Sequence, residues 1–301
     1  MEHLKIALDW TANTNHTGFF VAKELGFYEE LGIAIELLTP DQDNYVVTPA
    51  KKVELGEADF ALCPFESVVS YRTKENAFDA VAIAAIFRED ISAIVSLVGS
   101  GIERPSDLDG KKYASYKARY EDEIVRQMIK NDGGKGDFEI HYPEKLGIWN
   151  TLLNKQCDAT WVFMNWEGIH AKSKGIDLKA FKMSDFGIPY GYSPVILASE
   201  RAVDHNRIVY ADFLKATKKG FLFAQENPEE AIKFLGPRVA ATDQDIDLLE
   251  SQKFTSPYYG NQSNWGSLEK ANVQNYLDWL HVHELELQKL DFDTLVYSGL
   301  L

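Results

Sequence analysis

The chain has 301 residues, 45% hydrophobic and 26% charged, an ordinary globular composition that argues against disorder and allows about two domains. A net charge of −15 excludes nucleic acid and anionic membrane surfaces as natural partners. Cys63 and Cys157 are its only cysteines, too few for a disulfide framework, and no Cys/His cluster has the spacing of a zinc site.

No apolar run reaches the roughly 18 residues that a membrane span needs. The first strand follows Met1-Glu2-His3 at once, without the basic stretch, apolar core and cleavage site of a signal peptide. With Met1 as the native start the expected location is the cytoplasm; with a leader removed, it is the periplasm. No metal and no cofactor is expected.

In chain order, Leu4–Leu8 alternates as a strand and leads through a polar turn to a helical pattern over Thr17–Leu31. Thr17 is its expected N-cap and Gly32 its C-cap. A strand at Ile33–Leu38, a helix at Pro49–Leu55 and a short buried strand at Ala58–Cys63 follow. Pro64 suits the first turn of a helix through Tyr71. Residues 79–98 read as two strands, the second (Ser92–Val98) crossing between lobes. A second series then begins, with a strand at Tyr113–Ser115, a helix at Ala118–Asn131, a Gly133–Gly136 turn, a strand at 138–142 and a helix at Leu146–Leu153. The strand Ala159–Phe163, the helix Trp166–Lys174 and a returning strand, Ser193–Ala198, complete it. The rest is mainly helical: Ala202–Asn227, Pro228–Leu235, Asp243–Lys253 and Leu268–His283.

Two segments echo each other. Gly56–Leu62 and Lys155–Trp161 each give a turn, a small residue plus aspartate and an apolar strand, with Glu66 and Glu167 opening the next helix. Two similar α/β lobes are the natural reading. In such sheets, ligands bind outside the carboxyl ends of the strands, and there the chemistry collects. The first turn holds Asp9, Trp10, Asn13, Asn15 and His16; the second Phe65, Glu66 and Ser67; the third Tyr116 and Lys117, with Arg119 nearby. The fourth holds Asn165, Trp166 and Glu167 after Trp161, and the return segment adds Tyr190 and Tyr192. Aromatic faces sandwich a planar ring. Carboxylates pair with an amino group and an adjacent ring nitrogen, and amides meet the remaining donors and acceptors. The third turn opens a helix with cations at hand, which suits an anionic substituent.

Taken singly, each residue has a plainer reading. An aromatic packs in a core, a glutamate complements a helix dipole, an asparagine shapes a turn and a lone histidine is a satisfied turn residue. His281-Val282-His283-Glu284 lies on a helix, where i and i+2 face apart, so it reads as solvated surface. Concurrence across four turns favours a small heteroaromatic ligand with an exocyclic amine.

The same residues resemble a family. Leu8-Asp9-Trp10-Thr11-x-Asn13-Thr14-Asn15-His16-Thr17-Gly18, followed by Ala22-x-Glu24-x-Gly26-Phe27-Tyr28 and Gly32, is similar to the opening of thiamine-pyrimidine precursor binding proteins. These are a branch of the periplasmic substrate-binding superfamily that includes sulfonate and nitrate receptors. Ser106–Lys112, Asp158-Ala159 and Asn165–Gly168 fit as well, and the similarity thins out after about residue 235. The resemblance implies an α/β fold of two Rossmann-like lobes (residues 1–93 with 197–301, and 94–196) joined by two crossover strands. It implies hinge closure on an aminopyrimidine and an ABC transporter permease as partner. A sister branch makes the thiamine pyrimidine from pyridoxal phosphate, using a lysine after the second strand, a histidine four residues on and a cysteine-rich run. Here those positions read Cys63, Ser67 and Pro189–Ser193, so catalytic residues are expected to be absent and binding is favoured over the alternative, a cytoplasmic enzyme of pyrimidine biosynthesis or salvage.

Overall fold

The computed structural model describes every residue from Met1 to Leu301. Its strands are β1 (Glu2–Ala7), β2 (Ile33–Leu38), β3 (Phe60–Cys63), β4 (Ala80–Ala85), β5 (Ser92–Leu97), β6 (Lys112–Ala114), β7 (Glu139–His141), β8 (Ala159–Phe163), β9 (Leu178–Phe181) and β10 (Val195–Ser199). The helices are α1 (Thr17–Glu24), α2 (Pro49–Glu54), α3 (Phe65–Thr73), α4 (Glu121–Asn131), α5 (Ile148–Leu153), α6 (Glu167–Ser173), α7 (Glu200–His205), α8 (Arg207–Glu226), α9 (Pro228–Leu235), α10 (Leu248–Thr255), α11 (Lys270–Val282) and α12 (Phe292–Leu295). One compact unit comprises Met1–Asp90, Gly191–Gln274 and Leu290–Leu301; the other comprises Ile91–Tyr190 and Asn275–Lys289.

Each unit is built on a five-stranded sheet, ordered β2-β1-β3-β10-β4 in the first and β7-β6-β8-β5-β9 in the second. The pattern is the same. β1 runs parallel to β2 and β3, and β6 runs parallel to β7 and β8. In the fourth place stands an antiparallel strand that begins just after the chain enters the unit, β10 or β5. No strand is expected from the sequence at β9, whose Leu178–Phe181 has only four residues and is mostly half-exposed. β4 is buried along its whole length, which explains its unbroken apolar run.

The sequence echo has an atomic cause. Asp59 donates its backbone N–H to the Lys5 carbonyl at 2.9 Å, while its carboxylate accepts the Lys5 N–H at 2.8 Å. Asp158 treats Lys112 identically, at 2.7 and 2.8 Å. Each aspartate thus locks the central strand of its sheet, β3 or β8, beside its parallel neighbour, β1 or β6, at the point of entry. Asp59→Ala is expected to cost about 0.5–1.5 kcal/mol, with hydrogen exchange at the Lys5 amide accelerated and that at Lys112 unchanged. Acceleration at both amides would mean that the two locks are not independent.

Several helix boundaries depart from the sequence expectation. The pattern at Thr17–Leu31 breaks after Glu24, because Gly26 takes φ +75° and a separate short turn, Glu29–Leu31, follows. Thr17 is the first helical residue and His16 occupies the cap position. Pro64 likewise caps α3 rather than lying in its first turn. The helix expected from Ala118 starts at Glu121, because Tyr120 takes the cap position at φ −111° and ψ −3° and the Glu121 carboxylate holds the Ala118 N–H. Ala202–Asn227 is two helices: Asn206 leaves helical geometry and its amide donates to the Ala202 carbonyl at 3.1 Å. α10 starts at Leu248 rather than Asp243 because Asp247 caps it, accepting the Glu250 N–H at 2.9 Å.

In the first unit, Phe60 stacks on Phe213 with centroids 4.1 Å apart, and Tyr28 donates or accepts a 2.8 Å bond with Thr217. In the second, Asp132 receives Arg104 Nε at 2.7 Å and the Ser106 N–H at 2.8 Å. These partners hold its carboxyl down at about 2. A carboxyl lowered on folding contributes stability above its unfolded pKa and loses it as pH falls through the folded value. Wild-type protein is therefore expected to lose more stability than Asp132→Asn between pH 4 and about 2; parallel acid-denaturation curves would refute this.

Candidate functional site

In the first unit the chemistry-bearing loops leave the adjacent parallel strands β1 and β3 at their carboxyl ends. The loop from Leu8 to His16 is tied internally. Asn13 donates from Nδ2 to the Thr11 carbonyl at 3.1 Å and accepts the Asn15 N–H at Oδ1, 2.8 Å. The Asn13 N–H points at His16 Nδ1, 3.3 Å away. That nitrogen must then be the acceptor, so the proton sits on Nε2 and is donated to Asp9 Oδ1 at 2.7 Å. His16 is fully buried whereas the Asp9 side chain is 13% exposed. The imidazole therefore fixes a carboxylate at the rim of the loop and keeps neither nitrogen for proton transfer.

Support for this loop comes from residues distant in the chain. Tyr45, at φ +59°, donates its hydroxyl to the Asp9 carbonyl at 2.7 Å, and its ring lies 5.8 Å from that of Trp10. Thr14 shares a 2.7 Å hydrogen bond with Ser251, receives one from Thr255 at 3.1 Å, and its carbonyl accepts from Tyr259 at 2.8 Å. Ser251 and Thr255 are four residues apart on α10. That spacing was visible, but hydroxyls on a helix usually face water, so it carried no signal.

Beside this loop, Phe65 begins α3 and donates its N–H to the Tyr192 carbonyl at 3.0 Å. Tyr192 also accepts the Glu269 N–H at its hydroxyl, 2.9 Å. Phe65, Glu66 and Tyr192 are all buried, and Ser67 hydrogen-bonds the thiol of Cys63. Burial, then the charge of Asp9, pushes that thiol far above its ordinary pKa, which makes it a packing residue rather than a nucleophile.

The second unit repeats the arrangement at β6 and β8. Trp166 is buried in the cap position of α6, and Glu167 turns back to accept the Phe163 N–H at 3.1 Å. Asn165 is fully buried. Trp161 donates its indole N–H to Ser92 at 2.7 Å and meets Tyr190 edge-on at 4.9 Å. Tyr190 in turn packs edge-on against Tyr276, 5.8 Å away, in the segment 275–289.

The β6–α4 loop carries Tyr116 and Lys117. Glu121, absent from the sequence-based candidates, organises it: its carboxylate accepts the N–H groups of Tyr116 and Ala118 at 3.1 and 3.2 Å and the Tyr113 hydroxyl at 2.9 Å. Burial raises its carboxyl pKa, opposed by those donors. Arg119, offered above as an anion-binding cation, makes a 2.5 Å ion pair with buried Glu286. Tyr120 donates to the same carboxylate, and Lys117 Nζ lies 5.4 Å over the Tyr142 ring. His281 bonds the Glu286 carbonyl at 3.1 Å, and no group of three or more His, Cys, Asp or Glu is placed to hold a metal ion. The sequence candidates thus form two loop sets: Asp9, Trp10, Asn13, Asn15, His16, Phe65, Glu66, Ser67 and Tyr192 in one unit, Tyr116, Lys117, Trp161, Asn165, Trp166, Glu167 and Tyr190 in the other.

Two sheets of this shared order, with loops of this chemistry at equivalent strand ends, define the periplasmic-binding-protein fold. The alkanesulfonate-binding protein of Xanthomonas axonopodis pv. citri, solved with MOPS, superposes with a TM-score of 0.74 over 99% of this chain and 98% of that one, at 13% identity. Within that class, the chain belongs to the NMT1/THI5-like family, whose model matches residues 13–231. It is 23% identical over 295 residues to the formylaminopyrimidine-binding protein of Halalkalibacterium halodurans, covering 94% of this chain and 86% of that one. It is 24% identical over 233 residues to the 4-amino-5-hydroxymethyl-2-methylpyrimidine phosphate synthase of Legionella pneumophila, covering 76% and 72%. No helix is long and apolar enough to cross a membrane.

Proposed function

We propose that the chain binds a small aminopyrimidine as the substrate-binding component of an ABC importer, with Asp9, Trp10, Asn13, Asn15, His16, Phe65, Glu66, Ser67, Tyr116, Lys117, Trp161, Asn165, Trp166, Glu167, Tyr190 and Tyr192 as its site residues. One observation carries the reading: in each unit a strand-to-helix loop sets a tryptophan next to a carboxylate that the fold orients, Trp10 with Asp9 held by His16 and Trp166 with Glu167 held by the Phe163 N–H. Rings stack on a flat heterocycle and an oriented carboxylate accepts from its amino group. The name of the Halalkalibacterium relative supports the ligand class. The named activity of the Legionella relative is less well supported, since Cys63 and Ser67 stand where the synthase branch carries a lysine and a histidine.

Calorimetric titration with 4-amino-5-hydroxymethyl-2-methylpyrimidine and with its formylamino analogue is expected to show saturable binding to at least one. Asp9→Asn should weaken that binding by about 1.5–3 kcal/mol, the range for a hydrogen bond to a charged group. Absence of heat and of any thermal shift with both compounds would remove the proposal. Pyridoxal phosphate is expected to give no aldimine absorbance; a yellow adduct mapped to Lys117 would restore the enzymatic alternative. An importer component works outside the cytoplasmic membrane, so cell fractionation should find the protein there, and a permease should co-purify with it.

A further inference from the structure

We infer that Glu121 is a specificity determinant of the proposed site: its carboxylate occupies the anion-binding nest of the β6–α4 loop, so the protein takes an aminopyrimidine with an uncharged substituent and rejects the phosphate ester. The inference rests on the function proposed above and narrows its ligand class. A left-handed residue between right-handed or extended neighbours turns successive backbone N–H groups toward one point, which is how many proteins hold phosphate. Lys117, at φ +60°, does this between Tyr116 and Ala118. Here the point is taken. Glu121 Oε1 receives Tyr116 N–H and Tyr113 hydroxyl, and Oε2 receives Ala118 N–H. The remaining N–H, of Lys117, donates to Ser115 Oγ at 3.0 Å.

The cations that would attract a phosphate are engaged by the fold as well. Arg119 is paired with Glu286, which also takes the Tyr120 hydroxyl. Lys145 interacts electrostatically with Glu121 itself, and Lys117 Nζ rests over Tyr142. A phosphate entering this loop would have to displace the Glu121 carboxylate or sit against it, and two anions sharing a few ångströms of partly buried space repel strongly. A hydroxymethyl or formylamino group meets no such opposition. The carboxylate supplied from within the chain stands in for the charge that the ligand lacks.

The test is calorimetric titration of the full chain with 4-amino-5-hydroxymethyl-2-methylpyrimidine and with its phosphate ester, beside the variants E121A and Y113F, each checked by thermal melting. Wild type is expected to bind the alcohol at least tenfold more tightly than the ester. E121A should shift that ratio at least tenfold toward the ester. Should E121A not fold, Y113F, which loosens the carboxylate without removing it, should move the ratio the same way. Equal or tighter binding of the ester by wild type overturns the inference and leaves the proposed function standing. A variant that folds and weakens both ligands equally also overturns it, making Glu121 a loop brace only. Binding of neither ligand by wild type overturns the inference together with the function it rests on.

Discussion

Gly220→Ala is expected to be the most destabilising single substitution considered for this chain. Gly220 lies on α8 where it crosses α1, and a methyl group there would fall well inside van der Waals contact with the Gly18 carbonyl oxygen and 2.8 Å from the Ala22 side chain. The obstacle is backbone and a short side chain, so no flexible group can swing away. Gly18 is tight in the mirror sense, its Cβ position filled by the ring of Phe221. That ring packs edge-on against Phe19 at 5.2 Å and Tyr259 at 4.9 Å, and Tyr259 holds the Thr14 carbonyl. Overpacking costs about 1–3 kcal/mol and occasionally more; with backbone as the obstacle, the upper end or beyond is expected. For a unit of this size that is a fall in Tm of roughly 6–12 °C. A melting curve within a degree or two of wild type would show that the helices separate freely.

The second large effect concerns Glu167. Its carboxylate accepts the Phe163 N–H, so it braces the turn that presents Asn165 and Trp166 whatever else it does. Glu167→Gln keeps an acceptor for that N–H but removes the charge. On the function proposed above, it is expected to reduce aminopyrimidine affinity by about 10- to 100-fold, the equivalent of losing a hydrogen bond to an ionised group, with Tm nearly unchanged. Glu167→Ala removes both functions and should lower Tm as well. If the glutamine variant binds as tightly as wild type while the alanine variant melts early, Glu167 is a turn brace and the ligand finds its charge partner elsewhere.

How far the site was legible in the sequence depends on the range of the interaction. The strand-to-helix turns were found because alternation, a small residue plus aspartate and a helix-opening glutamate are all local signals. The start at Glu121 and the break at Asn206 are missed because helical periodicity is indifferent to a single residue that leaves helical φ/ψ, such as Tyr120 or Asn206. Tyr45, Ser251, Thr255 and Tyr259 could not be connected to the first turn at all. Their hydrogen bonds to it span up to 245 residues, and nothing in the neighbourhood of a serine on a helix announces so distant a partner.

The sequence alone determined the fold class, the two-lobed repeat and the kinds of side chain gathered at the strand ends, because strand period, turn residues and helix openings are short-range physics. Tertiary structure decided what those side chains are free to do. It made His16 the residue that orients Asp9 and paired Arg119 with Glu286. It also filled the third turn with the carboxylate of Glu121. The reason is that buried polar groups must find partners, and which partner each one finds is fixed only when distant segments of the chain have packed together.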